Sequence, residues 1–125
     1  MPAETGNRRL LVVDDNRDAA DSLSLMLSML GNEVETAYDG LEALERAQHF
    51  RPDTVLLDIG MPRLNGYDTA RRLRAESWGS DVTLVALTGW GQESDKQRTR
   101  EAGFDHHLVK PVELGQLQKL LDGEA

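Results

Sequence analysis

Leu10-Leu11-Val12-Val13-Asp14-Asp15 places four apolar residues directly before two aspartates. Uninterrupted apolar runs of this length are typical of strands that are buried in a parallel sheet. Val55-Leu56-Leu57-Asp58 repeats the arrangement, so that a third aspartate also follows an apolar run. The two stretches therefore predict carboxylates held at the ends of buried strands.

Strand-like runs alternate with segments of helical period along the whole chain, which is the pattern of βαβ units and a parallel sheet. Five such units fit one α/β domain over residues 1–125, with residues 1–7 expected to form a disordered tail. The predicted strands cover residues 9–14, 33–37, 53–58, 81–87 and 104–109. The predicted core stripes of four helices are Ala20, Leu23, Leu27 and Leu30, then Leu41, Leu44 and Ala47, then Tyr67, Ala70 and Leu73, and finally Leu114, Leu117 and Leu121.

The fourth helix departs from this pattern, because residues 92–101 contain no apolar side chain. A helix that is polar all round packs weakly unless another element holds it. Lys96 and Arg100 are like charges spaced i,i+4, which is also unfavourable. The segment is therefore either a solvated surface helix or a loosely seated element that shifts when a nearby site changes.

Composition limits the classes of function. No apolar run approaches the roughly 20 residues of a membrane span, and residues 1–6 lack the apolar stretch of a signal peptide, so a cytoplasmic protein without membrane insertion is expected. A net charge of -8 argues against direct nucleic-acid binding, which depends on Lys and Arg meeting phosphates. The absence of cysteine excludes disulfides and thiolate metal sites. Protein partners are therefore expected.

Polar residues follow four of the five predicted strands: Asp14 and Asp15, Asp58, Thr88 and Lys110. Each alone also suits a helix terminus, a turn or the surface, but their coincidence at strand ends favours one shared site. If the first and third strands are parallel neighbours, their carboxyl ends open onto one ligand-binding crevice. Two unit charges about 4 Å apart repel by roughly 4 kcal/mol at an effective dielectric near 20, so three uncompensated carboxylates would be costly. The cluster therefore predicts a cation, most simply a divalent metal.

In this order and spacing the motifs resemble the receiver domains of two-component response regulators, over nearly the whole chain. The matching stretches are Leu11-Val12-Val13-Asp14-Asp15-Asn16, Leu56-Leu57-Asp58-Ile59-Gly60-Met61-Pro62, Leu87-Thr88-Gly89 and Val109-Lys110-Pro111. The resemblance implies a flavodoxin-like, doubly wound (βα)5 fold, with a five-stranded parallel sheet in the order 2-1-3-4-5. It also implies a function in bacterial phosphorelay signalling.

By resemblance, Asp58 is the phosphoryl acceptor, Thr88 reads the phosphoryl group and Lys110 contacts its oxygens. The implied ligands of Mg²⁺ or Mn²⁺ are Asp14, Asp15, Asp58 and the backbone carbonyl of Gly60. An aspartate is ionised at neutral pH and needs no base to act as a nucleophile, and a divalent ion offsets the negative charge of the phosphoryl group. The chain would then be a signalling receiver that catalyses only its own phosphorylation and dephosphorylation.

The resemblance also implies partners. The donor is a phosphohistidine on a histidine kinase or a histidine phosphotransfer protein. Phosphorylation is expected to change the face formed by the fourth helix, the fifth strand and the fifth helix, which would bind a downstream protein. Residues 86–112 are similar to receivers attached to hybrid sensor kinases, so the chain is either a stand-alone regulator or a domain of such a kinase.

His107 departs from the family pattern, which usually has Tyr or Phe three residues before the lysine as a moving switch. We expect His107 to exchange between outward and inward rotamers with a dependence on protonation. The alternative is a half-exposed strand histidine without a switching role. His106 and His107 are not expected to share a metal ion, because consecutive strand residues point to opposite faces.

Two positions that influence the hydrolytic water in the family are occupied here by Gly60 and Trp90. Gly60 cannot orient water, and the indole of Trp90 would shield an acyl phosphate, so slow self-dephosphorylation is expected. Alternatively, Trp90 only packs on the loop surface. The resemblance further implies a cis peptide bond before Pro111, which would aim Lys110 inward.

Three other functions use similar residues. An inactivated receiver would act only as a protein-interaction module. An aspartyl-phosphate phosphohydrolase of the haloacid dehalogenase type needs a second acid where Gly60 stands. A flavin-binding module would present donors to a phosphate where Asp14 and Asp15 repel one.

Overall fold

Five parallel strands alternate with five α-helices in the residues that the computed structural model describes, namely 8–59, 66–88, 96–110 and 112–121. The elements are β1 (Arg9–Val13), α1 (Arg17–Met29), β2 (Glu33–Ala37), α2 (Gly40–Phe50), β3 (Thr54–Asp58), α3 (Gly66–Ala75), β4 (Thr83–Thr88), α4 (Lys96–Glu101), β5 (His106–Val109) and α5 (Leu114–Leu121). A short 3-10 turn, Gly79–Asp81, precedes β4.

The strand order is β2-β1-β3-β4-β5, and every neighbouring pair is parallel. The predicted doubly wound fold and its strand order are therefore confirmed. Val13 lies opposite Leu57 in the register of β1 and β3, so both strands end side by side at the centre of the sheet. Because the strand order reverses at β1, this edge is the topological switch point where such sheets bind ligands.

The sheet is covered on both sides by helices, and its strands alternate between two cores. Leu11 and Val13 point to the side covered by α2 and α3, where Phe104 also packs. Leu10 and Val12 point to the side covered by α1 and α5. Burying one such side chain contributes about 1.5–3 kcal/mol, so the two cores fix the register of the central strands and the position of the residues that follow them.

The helix faces agree with most of the predicted stripes. Ala20, Leu23 and Leu27 are buried on α1, and Tyr67, Ala70 and Leu73 are buried on α3. The helix α1 ends at Met29, and Gly31, two residues later, has a φ of 96°, a left-handed conformation that glycine adopts readily. Among the described helices, none has both the length and the apolar character of a transmembrane segment.

The predicted stripe of α2 is confirmed at Ala47, and Leu44 is partly buried against the same core, but the stripe was wrong at Leu41. Leu41 is 50 % exposed, whereas Ala43, Ala47 and Phe50 are buried. At about 100° per residue, Ala47 and Phe50 lie within about 40° of Ala43 around the helix, whereas Leu41 lies about 160° away, so Leu41 falls outside the buried stripe. On α5, Leu120 is buried beside Leu117 while Leu121 is half-buried; the side chain of Leu114 lies outside the described residues.

Two predicted strand starts were also too early. Residues 79–81 form the 3-10 turn, so β4 begins at Thr83 and continues through Thr88. Gly103 has a φ of 105° and reverses the chain after α4, which delays β5 to His106. The helix α4 spans six residues and buries Thr99. This polar helix therefore packs against the domain through Thr99, together with the buried Ala102 directly after it.

Arg74, near the end of α3, joins the segments that precede β4 and β5. Its guanidinium donates to the carbonyl oxygens of Gly79 (2.8 Å), Val82 (2.5 Å) and Gly103 (2.8 and 3.0 Å). It also pairs with Asp105 at 2.7 Å. We expect Arg74→Ala to lower the free energy of unfolding by about 2–4 kcal/mol, because several carbonyl groups lose a charged donor together. Urea unfolding measures this loss.

Arg71 provides the matched control on the same helix. Its guanidinium lies 3.0 Å from Asp68, and both side chains are about half exposed. An exposed pair of this kind contributes about 0–1 kcal/mol, so Arg71→Ala should change stability little. Equal losses in the two variants would contradict a specific role for Arg74.

Candidate functional site

Asp14, Asp15 and Asp58 meet at the carboxyl edge of β1 and β3. One carboxylate oxygen from each residue lies within 4.8 Å of the corresponding oxygens of the other two. Asp14 and Asp58 are buried, whereas Asp15 is exposed. The structure therefore brings together the three acids predicted from the sequence, with one side of the cluster open to solvent.

Backbone hydrogen bonds fix the two buried acids. The Asp14 N–H donates to the carbonyl of Ala37 at the end of β2 (3.1 Å). One carboxylate oxygen of Asp14 accepts the N–H of Asn16 (3.0 Å), and Asn16 caps α1 by accepting the N–H of Ala19. Asp58 is the last residue of β3 and lies opposite Leu87 in β4. The acids thus sit on rigid strand ends, an arrangement that limits their movement.

Lys110 lies across the two buried acids. Its ammonium donates to Asp14 Oδ2 at 2.6 Å and to Asp58 Oδ2 at 3.2 Å. Burial alone lowers the pKa of Lys110, but the hydrogen bond to Asp14 and the charge of Asp58 outweigh it, so the pKa is raised. The stabilisation by this ammonium is therefore present below the ordinary lysine pKa of about 10.4 and is lost as the pH rises through the higher folded pKa.

The donor set fits a divalent cation. Oxygen ligands from carboxylates are those that Mg²⁺ takes in proteins, usually with several waters retained. At their ordinary charges, three carboxylates and one ammonium leave two negative charges uncompensated. The cluster could therefore hold Mg²⁺ or Mn²⁺ through Asp14, Asp15 and Asp58, with the open side at Asp15 leaving room for water.

Thr88 and His107 lie next to each other at the end of β4 and in β5. Thr88 is almost fully buried, and its hydroxyl oxygen lies 3.1 Å from His107 Nε2; which of the two donates depends on the imidazole tautomer. A cavity of about 480 Å³ lies beside this pair, lined by Thr99, Arg100, Phe104, Asp105, His106 and His107. His107 is thus half-buried, bonded to the predicted switch threonine and adjacent to open space.

Gly66, the first residue of α3, was not singled out from the sequence. Its N–H donates to the carbonyl of Ile59 (3.3 Å), and an added Cβ would lie 2.7 Å from the carbonyl oxygen of Asp58 and in contact with Ile59 Cα. Only glycine lets α3 approach the peptide that follows Asp58 this closely. In the sequence, the available signal was a glycine directly before Tyr67, where the predicted stripe of the third helix begins.

Gly60, Trp90 and Pro111 lie outside the described residues, as does the tail at residues 1–7. The backbone ligand role of Gly60, the tuning roles of Gly60 and Trp90, and the cis bond before Pro111 stay predictions. Among the described residues, the acidic and histidine side chains that cluster closely enough for a metal are Asp14, Asp15 and Asp58.

The fold and this edge define a class of protein: doubly wound α/β domains with an acidic cluster at the switch point. The family model of the response regulator receiver domain matches residues 10–122. The chain belongs to this family, which confirms the resemblance seen in the sequence.

Known relatives and structures agree with this assignment. The response regulator MprA of Mycobacterium ulcerans is 44 % identical over 109 residues, which are 87 % of this chain and 46 % of the relative. This chain therefore spans about half the length of the curated relatives it matches. The chemotaxis protein CheY4 of Vibrio cholerae is 32 % identical, with a TM-score of 0.86 over 94 % of this chain and 98 % of that one.

One similar structure contains a metal. The receiver domain of a sensor histidine kinase from Pseudomonas aeruginosa has a magnesium ion coordinated in its active site cleft. It is 32 % identical to this chain, with a TM-score of 0.84 over 94 % of this chain and 97 % of that one.

Proposed function

We propose that this chain is a phosphoacceptor receiver in a two-component phosphorelay. Asp58 takes a phosphoryl group from a phosphohistidine of a partner histidine kinase or histidine phosphotransfer protein, with Mg²⁺ or Mn²⁺ as cofactor. The observation that supports this is the convergence of Asp14, Asp15, Asp58 and Lys110 in a chain of the receiver family. The chain acts as a signalling receiver, without turnover of an external substrate.

Asp58 supplies the nucleophile. One of its carboxylate oxygens forms a bond to phosphorus while the bond between phosphorus and the donor nitrogen breaks. When bound, the divalent ion supplies positive charge that offsets the phosphoryl oxygens. Asp14 and Asp15 would hold it together with Asp58 and, as predicted from the resemblance, the backbone carbonyl of Gly60. The burial of Asp58 restricts water around the acceptor.

Lys110 supplies the second positive charge. Its ammonium already reaches Asp58 at 3.2 Å, so a small movement brings it to an oxygen of a phosphoryl group on that residue. Its raised pKa keeps it charged at neutral pH. Lys110 therefore stabilises the developing negative charge, in the way that cationic side chains do in phosphoryl transfer.

Thr88 and His107 transmit the phosphorylation of Asp58 to the surface that binds a downstream protein. A phosphoryl group on Asp58 offers strong acceptor oxygens to the Thr88 hydroxyl, which at present lies 3.1 Å from His107. If the hydroxyl turns toward those oxygens, His107 loses this partner and can move relative to the cavity beside α4. The change would alter the face of α4, β5 and α5 that binds a downstream protein.

Histidine NMR tests the output step. Beryllofluoride with Mg²⁺ would take the place of the phosphoryl group on Asp58. We expect the imidazole signals of His107 to differ between the free protein and this complex, because the Thr88 hydroxyl would leave His107 and bond to the bound group instead. His49 is exposed on α2 and serves as the internal control, with unchanged signals. A single, unaltered environment for His107 in both states would argue against the switch.

The proposed function itself is tested by incubating the chain with acetyl phosphate and Mg²⁺ and weighing the intact protein. The expected result is a gain of one phosphoryl group, which is absent when the metal is removed by chelation. An inactivated interaction module would gain no mass. A phosphohydrolase would instead turn over a small phosphoester continuously.

A further inference from the structure

Arg17, the first residue of α1, lies two positions after Asp15, and its side chain stacks on Tyr38. Its guanidinium carbon lies 4.2 Å from the centroid of the Tyr38 ring. Within the described residues it makes no ion pair with Asp14, Asp15 or Asp58. A cation at this end of a helix is also disfavoured by the helix dipole, so the stacking partner is what retains it.

Tyr38 is held firmly enough to retain Arg17. Its hydroxyl donates to Asp21 Oδ1 at 2.7 Å and accepts the hydroxyl of Thr36 at 3.2 Å. Its backbone N–H donates to the carboxylate of Glu42 at 2.7 Å. The ring is thus tied to β2, α1 and α2 at once, and it lies directly after β2, at the same edge of the sheet as the acids.

A released Arg17 would compete for the acids. Asp15 is exposed and lies only two residues before Arg17 in the chain. A guanidinium pairs readily with a carboxylate through two parallel hydrogen bonds. Such a pair would neutralise a carboxylate that the proposed metal needs, and it would add a positive charge beside the ion.

We infer that Tyr38 is a positioning residue that keeps Arg17 off the metal-binding carboxylates and thereby sets the affinity for the divalent ion. This inference rests on the proposed function, because it assumes that the acids bind Mg²⁺. Its consequence is that phosphorylation at limiting Mg²⁺ depends on a stacking contact between the start of α1 and the residue after β2, which takes no part in the chemistry.

Four variants test the inference by calorimetric titration with Mg²⁺. Tyr38→Leu keeps apolar bulk but removes the aromatic face, and we expect its dissociation constant to rise about twofold to fivefold, the range that exposed ion pairs produce. Tyr38→Phe keeps the aromatic face and loses only the hydroxyl bonds to Asp21 and Thr36, so its Mg²⁺ affinity should lie closer to that of the wild type than to that of Tyr38→Leu. Arg17→Gln should bind at least as tightly, and adding Tyr38→Leu to Arg17→Gln should change nothing further.

NMR of the Arg17 side-chain N–H gives a readout that general destabilisation would not move. Its resonance should carry a ring-current shift in the wild type and in Tyr38→Phe, and lose it in Tyr38→Leu. The inference is overturned if Tyr38→Leu binds Mg²⁺ like the wild type, or if it weakens binding equally with and without Arg17. If the wild type binds no Mg²⁺, the proposed function fails first and the inference falls with it.

Discussion

Asp58→Asn is expected to gain no phosphoryl group under conditions in which the wild-type chain gains one. The substitution keeps the size of the side chain and removes its charge, and an amide is a poor nucleophile toward phosphorus. Loss of a nucleophile usually costs several orders of magnitude, so we expect the rate to fall by a factor of about 10³ or more. Intact-mass measurement after incubation with acetyl phosphate and Mg²⁺ follows the reaction directly.

Asp53→Asn is the matched control for this substitution. Asp53 directly precedes β3, at the opposite end of the strand from Asp58, and accepts the N–H of Arg9 at 2.9 Å. It is exposed and lies away from Lys110 and the acidic cluster. Asp53→Asn should therefore be phosphorylated like the wild type. A mass gain that persists in Asp58→Asn would place the acceptor on another residue, and peptide mapping would identify it.

The site could be predicted from the sequence because its residues follow strands that are easily recognised from their apolar runs. Leu10 to Val13 and Val55 to Leu57 are short, uninterrupted apolar runs rich in Val and Leu, which are typical of buried strands. A parallel sheet places the residues after such strands at one edge, so Asp14 and Asp58 come together by topology.

Other features could not be predicted, because they depend on tertiary distances. The predicted face of α2 included Leu41 beside Leu44 and Ala47, although it is the small side chain of Ala43, together with Ala47, that faces the core. Sequence patterns weigh large apolar residues most, and a short helix offers few turns to correct the phase. Arg74 joins the segments before β4 and β5, and its partners before β5, Gly103 and Asp105, are 29 and 31 residues from it in sequence.

Contacts close to the site could not be predicted for the same reason. Gly66 matters because of its distance to the peptide after Asp58, and Arg17 matters because of a ring 21 positions later in the chain. Neither contact follows from local periodicity. The positions of the acids are therefore determined by secondary structure. The residues around them are instead positioned by packing between helices and strands.

Lys110→Met is expected to shift metal binding and phosphorylation in opposite directions. The ammonium of Lys110 lies 2.6 Å from Asp14 and 3.2 Å from Asp58, the same carboxylates that would hold the divalent ion. Removing it takes away a competing cation and its repulsion of the metal. We expect the Mg²⁺ affinity to rise about tenfold, or roughly 1.4 kcal/mol, which is a modest part of the interaction of two charges at about 4 Å.

The phosphorylation rate of the same variant should fall about 10²-fold, the usual cost of removing one donor that stabilises developing negative charge. Lys119→Met is the control, because Lys119 is exposed on α5 and should affect neither quantity. Calorimetry with Mg²⁺ and intact-mass kinetics at saturating Mg²⁺ measure the two effects separately. If Lys110→Met weakened metal binding, the ammonium would serve mainly to hold Asp14 and Asp58 in place. A rise in affinity together with a slower reaction requires instead that Lys110 acts on the phosphoryl group itself.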